Sequence, residues 1–220
     1  THCISSAASD VYKRQVYTCR KGRPGPVLLD IPVDIQGSRV EESELESFIP
    51  ESKKSTIVAS QIDEIVELLN NAKRPVIYAG AGVNIANARD SFRALVEKIA
   101  APVLLHWNGI DLIENDHPLF AGRPGAVGQR AANFTLQNAD VLISIGTRLA
   151  LLQTGYNFAG YVRNAKHIMV DIDQAELDKK TLHPYMKVCS DAGEFIDALN
   201  SHKDLKKNCL LYTSPSPRDR

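Results

Sequence analysis

From residue 56 onward, short apolar runs alternate with stretches whose apolar residues recur at helical spacing. Ile62, Ile65, Val66 and Leu69 fall on one face of a helix whose start carries a Ser60/Asp63 capping pattern. Pro75-Val76-Ile77-Tyr78-Ala79 reads as a strand closed by Gly80-Ala81-Gly82. Asn87 is placed to cap the next helix, with Phe92, Leu95, Val96 and Ile99 as its apolar stripe. Further strands are expected at Pro102–Leu105, Val141–Ile145 and Ile168–Ile172, with Met186–Val188 as a short fifth. Gly128–Asn138 and Ala192–Leu199 read as helices, and Asn108–Gly125 as a long polar connection. Apolar strands alternating with amphipathic helices predict an α/β fold, a Rossmann-like parallel sheet with helices on both faces, over about residues 56–200. Ligands of such sheets bind outside the carboxyl ends of the strands.

Ahead of this domain the pattern changes. Val16–Gly22 reads as the end of a helix stopped by Gly22, and Val27–Pro32 as a buried strand bounded by prolines. Residues 16–36 thus look like the C-terminal end of a preceding domain. Residues 37–55, with Glu41, Glu42, Glu44, Glu46 and Glu51, read as a solvated linker. Residues 1–15 and most of 201–220 show no period. The strings SSAASDVYKRQ and LLYTSPSPRDR within them resemble peptides read through from sequencing-adapter DNA. On that reading the natural chain continues in both directions.

Composition narrows the class. Lysine plus arginine and aspartate plus glutamate balance at 26 each, so neither a nucleic-acid nor a membrane partner is expected. No apolar run approaches the ~18 residues of a membrane span, and no secretion leader is read. Cys3, Cys19, Cys189 and Cys209 form no C-x-x-C pair, so zinc and a disulfide framework are not expected, and reduced thiols imply a cytoplasmic protein.

The strand ends supply the candidate cofactor-binding residues. Gly80 and Gly82 let the chain turn sharply and bring backbone N–H groups to a phosphate, although Ile85 breaks the full G-x-G-x-x-G fingerprint. The same residues also serve a plain strand-to-helix turn. Gly146 with the Arg148 guanidinium suits a phosphate, or Arg148 pairs with a neighbouring loop. Asp171 can accept from a ribose hydroxyl, while Asp173 is the better cap for a helix beginning near Gln174. The six histidines show no metal spacing, no G-x-S-x-G elbow occurs, and no acid/base pair stands out, so no catalytic or metal residue is assigned.

The segment Gly22-Arg23-Pro24-Gly25-Pro26-Val27-Leu28-Leu29-Asp30-Ile31-Pro32-Val33-Asp34 resembles the close of the N-terminal, pyrimidine-binding domain of thiamine-diphosphate-dependent enzymes. Arg74-Pro75-Val76-Ile77, Gly80-Ala81-Gly82, Pro102-Val103, Gly128, Gln137-Asn138-Ala139-Asp140, Gly146-Thr147-Arg148 and Val170-Asp171-Ile172-Asp173 follow in the order of that family's central domain, most similar to the acetolactate synthase group. The resemblance adds Gly128 to the candidate cofactor-binding residues. It implies a carboligase or decarboxylase of 2-oxo acids that uses thiamine diphosphate and Mg²⁺ and assembles as a homo-oligomer, a dimer or tetramer. It also implies that the catalytic glutamate and the G-D-G…N-N metal motif lie in other domains, and the chain holds no G-D-G. The central domain is scaffold in many members and binds FAD in acetolactate synthase. Here Arg148 is followed by Leu149-Ala150-Leu151 instead of F-D-D, and Val127 stands where a histidine is usual, which weighs against FAD held in the acetolactate synthase manner. Gly80-Ala81-Gly82 with Asp90-Ser91-Phe92-Arg93 also faintly resembles a sirtuin NAD-dependent deacylase, without that family's zinc cysteines. A non-catalytic nucleotide-binding domain is the other alternative.

Overall fold

The structure, a computed structural model, describes residues 12–37, 48–50 and 57–207. The chain divides into two units, Thr1–Lys54 and Ser55–Arg220. In the first, a helix (α1) covers residues 12–18 and a short one (α2) covers Val33–Gln36. Helix α1 therefore begins inside the stretch read as aperiodic and ends before Gly22, which takes a left-handed φ of 63°. The expected buried strand at Val27–Pro32 does not form. The segment pairs with no strand, and Leu28 is 88% exposed. An apolar run becomes a strand only where neighbouring strands take its N–H and C=O groups; among the described residues the bonds to this run come from Gln36 of α2, to the carbonyls of Ile31 and Pro32. Most of the acidic linker at 37–55 lies outside the described residues.

The second unit carries the expected sheet. After α3 (Ala59–Asn71), the order is β1 (Pro75–Ala79), α4 (Ala81–Ile85), α5 (Arg89–Ile99), β2 (Val103–Leu105), β3 (Phe120–Gly122), α6 (Arg130–Asn138), β4 (Val141–Ile145), α7 (Leu151–Thr154), β5 (Lys166–Asp171), α8 (Gln174–Leu177), β6 (Met186–Cys189) and α9 (Ala192–Ser201). Six strands lie in the order β3-β2-β1-β4-β5-β6, and every pairing is parallel. Strands β1 and β4 are buried along their whole length, as parallel strands covered on both faces must be.

Two apolar layers flank the sheet. On one side lie Ile77, Ala79, Ile143, Ile145, Ile168 and Val170, covered by α3, α5 and α9. Each of these helices buries residues at i, i+3, i+4 and i+7: Ile62/Ile65/Val66/Leu69, Phe92/Leu95/Val96/Ile99 and Ala192/Phe195/Ile196/Leu199. The other side holds Val76, Tyr78, Leu142 and Met169 under Ala132 and Leu136 of α6, Leu177 of α8, and Tyr161 and Val162.

Two expected caps are corrected. Helix α3 starts one residue before Ser60, its N-cap is Val58, and no side chain caps it. At α5 the N-cap is Ala88, and Asn87 instead adopts a left-handed φ of 54°, a conformation asparagine tolerates better than most residues. The Asn108–Gly125 connection is also more ordered than its polarity suggests, since it holds a 3-10 turn (Trp107–Gly109 at its start) and all of β3. Among the described residues no helix is long and apolar enough to cross a membrane.

Candidate functional site

The sheet order reverses between β1 and β4. β1 is followed in sequence by β2 on one flank, while β4 and β5 extend the other. Such a switch point leaves a crevice at the carboxyl edge, and the candidate glycines lie there. Their first job is to let two backbones touch. A Cβ on Gly80 would sit 2.5 Å from the Gly146 carbonyl oxygen, and one on Gly82 would sit 2.7 Å from the Gly146 Cα. Conversely, a Cβ on Gly146 would meet the Gly82 Cα at 2.7 Å, and its φ of 57° already favours glycine. The amides are engaged as well. Gly80 N–H donates to Ile145 O and Gly82 N–H to Gly146 O, each at 3.0 Å.

Beyond Gly146 the chain stays in an uncommon conformation. Arg148 and Leu149 have φ values of 58° and 50°. Conformations of this kind cost about 1–3 kcal/mol per residue and persist where surroundings hold them. Here the holder is the segment after α8. Lys179 Nζ donates to the carbonyls of Arg148 and Leu149 and lies 3.6 Å from Glu176 Oε2. Burial lowers the Lys179 pKa, and the Glu176 carboxylate opposes that shift. The Arg148 guanidinium bonds Glu176 Oε1 through Nε at 2.7 Å, an ion pair with helix α8 rather than with a neighbouring loop.

Asp171 closes β5 and is 4% exposed. One of its oxygens accepts the Asp173 N–H at 3.0 Å. Asp173 caps α8 by accepting from Ala175 N–H, as its position predicted. Gly80, Gly82, Gly146, Arg148 and Asp171 thus sit on the neighbouring ends of β1, β4 and β5. Gly128 serves a separate tight turn, where a Cβ would meet Gly125 N at 2.5 Å and Pro124 C at 2.6 Å. Gly125 N–H and C=O in that turn are both bonded by the Asn133 side chain of α6.

Two histidines do more than sequence reading assigned. His167 is buried on the α6 side of the sheet, 2.8 Å from Ser144 Oγ. Burial, aided by the Lys179 charge, pushes its pKa down to about 4. The hydroxyls of Tyr78 and Tyr161 share that side of the sheet, and burial raises both phenols. His106, just past β2, contacts Gln153 of α7. Neither arrangement carries a sequence signal, because 47 positions separate His106 from Gln153 and a polar residue inside a buried run looks like noise. Among the described residues no group of three or more histidine, cysteine, aspartate or glutamate side chains is disposed to hold a metal ion. Cys19 Sγ donates to the Val16 carbonyl and Cys189 Sγ to the Ile172 carbonyl.

Residues 62–199 match the family model described as thiamine pyrophosphate enzyme, central domain. The acetolactate synthase large subunit of Lactococcus lactis subsp. lactis is 39% identical over 167 residues, 74% of this chain and 28% of that protein. The probable acetolactate synthase large subunit of Methanococcus aeolicus is 36% identical over 178 residues, 77% of this chain and 29% of that protein. Glyoxylate carboligase of Escherichia coli O157:H7 is 34% identical over 184 residues, 83% of this chain and 30% of that protein. The chain spans about three tenths of the length of these curated relatives.

Proposed function

Because the chain belongs to the thiamine pyrophosphate enzyme family and carries its central domain, we propose that it is part of a thiamine-diphosphate- and Mg²⁺-dependent carboligase or decarboxylase of 2-oxo acids, and that residues 56–200 act in it as a structural domain. The relatives named acetolactate synthase and glyoxylate carboligase support the reaction class. The cofactor, when bound, supplies the electron sink for that chemistry. The described residues do not fit it: they offer no carboxylate cluster for the metal, and the amides of Gly80, Gly82 and Gly146 are engaged. The work of this domain is to hold the carboxyl edge of the sheet rigid.

The observation that carries the structural reading is the mutual backbone contact of Gly80, Gly82 and Gly146, which by itself accounts for a glycine at each position. A bound FAD or other nucleotide is the competing reading. Its support is that Gly80, Gly82, Gly146, Arg148 and Asp171 share adjacent strand ends; against it, Arg148 Nε bonds Glu176 Oε1. Incubating the 220-residue chain with pyruvate, thiamine diphosphate and Mg²⁺ is expected to release neither acetolactate nor carbon dioxide. Turnover by this chain would overturn the assignment of a purely structural role.

A further inference from the structure

Three strand-end segments meet at one half-buried imidazole. His106 N–H donates to Ala79 O at 2.8 Å, which roots the residue to β1. Its ring Nδ1 accepts the Asn108 N–H at 3.2 Å and so caps the Trp107–Gly109 turn. Its Nε2 lies 2.5 Å from the side-chain nitrogen of Gln153 on α7. Helix α7 in turn holds the loop before α6, because Leu152 O accepts the Ala126 N–H at 2.8 Å.

Donor and acceptor logic decides the state of the ring. An Nδ1 that accepts from Asn108 carries no hydrogen, so the hydrogen of the neutral imidazole sits on Nε2. An Nε2–H needs an acceptor, and the one that Gln153 offers is Oε1. That oxygen is buried without a hydrogen-bond partner when the amide presents its nitrogen to the histidine. The two ends of a side-chain amide have nearly the same shape, so turning it over gives the imidazole Nε2–H its acceptor.

We infer that His106 is the Nε2–H tautomer donating to Gln153 Oε1, and that its Nδ1 is a proton-sensitive cap of the Trp107–Gly109 turn. Neutral, it joins the Trp107–Gly109 turn to α7 and, through α7, to the Gly125–Gly128 turn. A proton taken from solvent onto Nδ1 converts that acceptor into a donor, and the Asn108 bond is lost. The segments around the ring offer the cation no counter-charge: β1, β2, α4, the Trp107–Gly109 turn and α7 contain no charged residue. The charges just beyond them are engaged, Asp111 with Arg89 and Asn84, and Arg148 with Glu176. Burial accordingly lowers the His106 pKa. The Asn108 cap is in place at neutral pH and is lost only in acid, while the Nε2–H bond to Gln153 stays in both states. It operates whether or not a nucleotide binds, so its failure and the failure of the structural assignment are separate results.

Long-range ¹⁵N NMR of the His106 ring in the 220-residue chain, followed from pH 8 into acid, tests this. The expected spectrum at pH 8 is that of the Nε2–H tautomer, and the Asn108 amide should shift with the same midpoint as the ring. In His106→Asn the side-chain oxygen still caps Asn108 but does not titrate, so that amide should stay put over the same range. If that variant does not fold, the tautomer and the paired midpoints in the unsubstituted chain decide alone. An Nδ1–H tautomer, an Asn108 amide that ignores the ring, a ring that fails to titrate before the sheet unfolds, or a shift that persists in His106→Asn would each overturn the proposal.

Discussion

Two short apolar runs lie next to prolines in this chain, and they meet opposite fates. Pro75–Ala79 is buried at every residue and bonded to β2 on one side and β4 on the other. Val27–Pro32 pairs with no strand among the described residues, and Leu28 stands 88% exposed. Their compositions are nearly interchangeable. The difference lies in the neighbours, which a parallel strand must find through crossovers of a dozen or more residues. A strand is a property of a sheet, and a sequence run only bids for membership.

The same contrast holds for glycine. Gly25 has no atom within 4 Å of where its Cβ would be, whereas a Cβ on Gly82 would meet the Gly146 Cα at 2.7 Å. Gly82→Val should therefore destabilise the second unit by on the order of 4 kcal/mol, since it forces overpacking and breaks the β1–β4 contact. Gly25→Val should change stability by less than about 0.5 kcal/mol. Urea denaturation followed by circular dichroism reads both, and equal effects would erase the comparison.

Leucines sharpen it further. Leu142 is fully buried in β4, so Leu142→Ala should cost about 3 kcal/mol, while Leu28→Ala should cost almost nothing. A large effect at Leu28 would mean that the first unit packs this segment after all.

A third expectation concerns acid. The folded-state pKa of His167 is depressed to about 4, below the ordinary 6.5 of the unfolded chain. The unfolded state then binds more protons, so the stabilisation is fully present above pH 6.5 and is lost as pH falls towards 4. The loss should approach about 3 kcal/mol. It should be absent from the pH profile of His167→Gln, even if that variant is weaker throughout. A profile unchanged by the substitution would assign the acid limb to other groups.

Much of the second unit was legible because parallel strands buried on both faces leave uninterrupted apolar runs. β1 and β4 match their sequence boundaries to the residue, and α3, α5 and α9 show full stripes. β3 was not legible: it is three residues long, ends in glycine and lies in a polar stretch. The strand-end glycines were legible, but the approach of Gly146 to Gly80 and Gly82 was not, because no local rule shows which distant backbone a missing Cβ admits. The contact of Arg148 with Glu176 was equally out of reach, since 28 positions separate the two. Asp173 was legible as a cap because its partner is two residues on, within reach of local rules.

The central claim is that the carboxyl edge of this sheet is closed on itself and serves as scaffold. It is tested most directly by titrating the purified chain with FAD and with ADP, reading flavin absorbance and thermal stability together. The account predicts a colourless protein whose melting temperature does not move with either ligand. A yellow cofactor that co-purifies, or a melting temperature that climbs with ligand concentration as binding to the folded state requires, would contradict it.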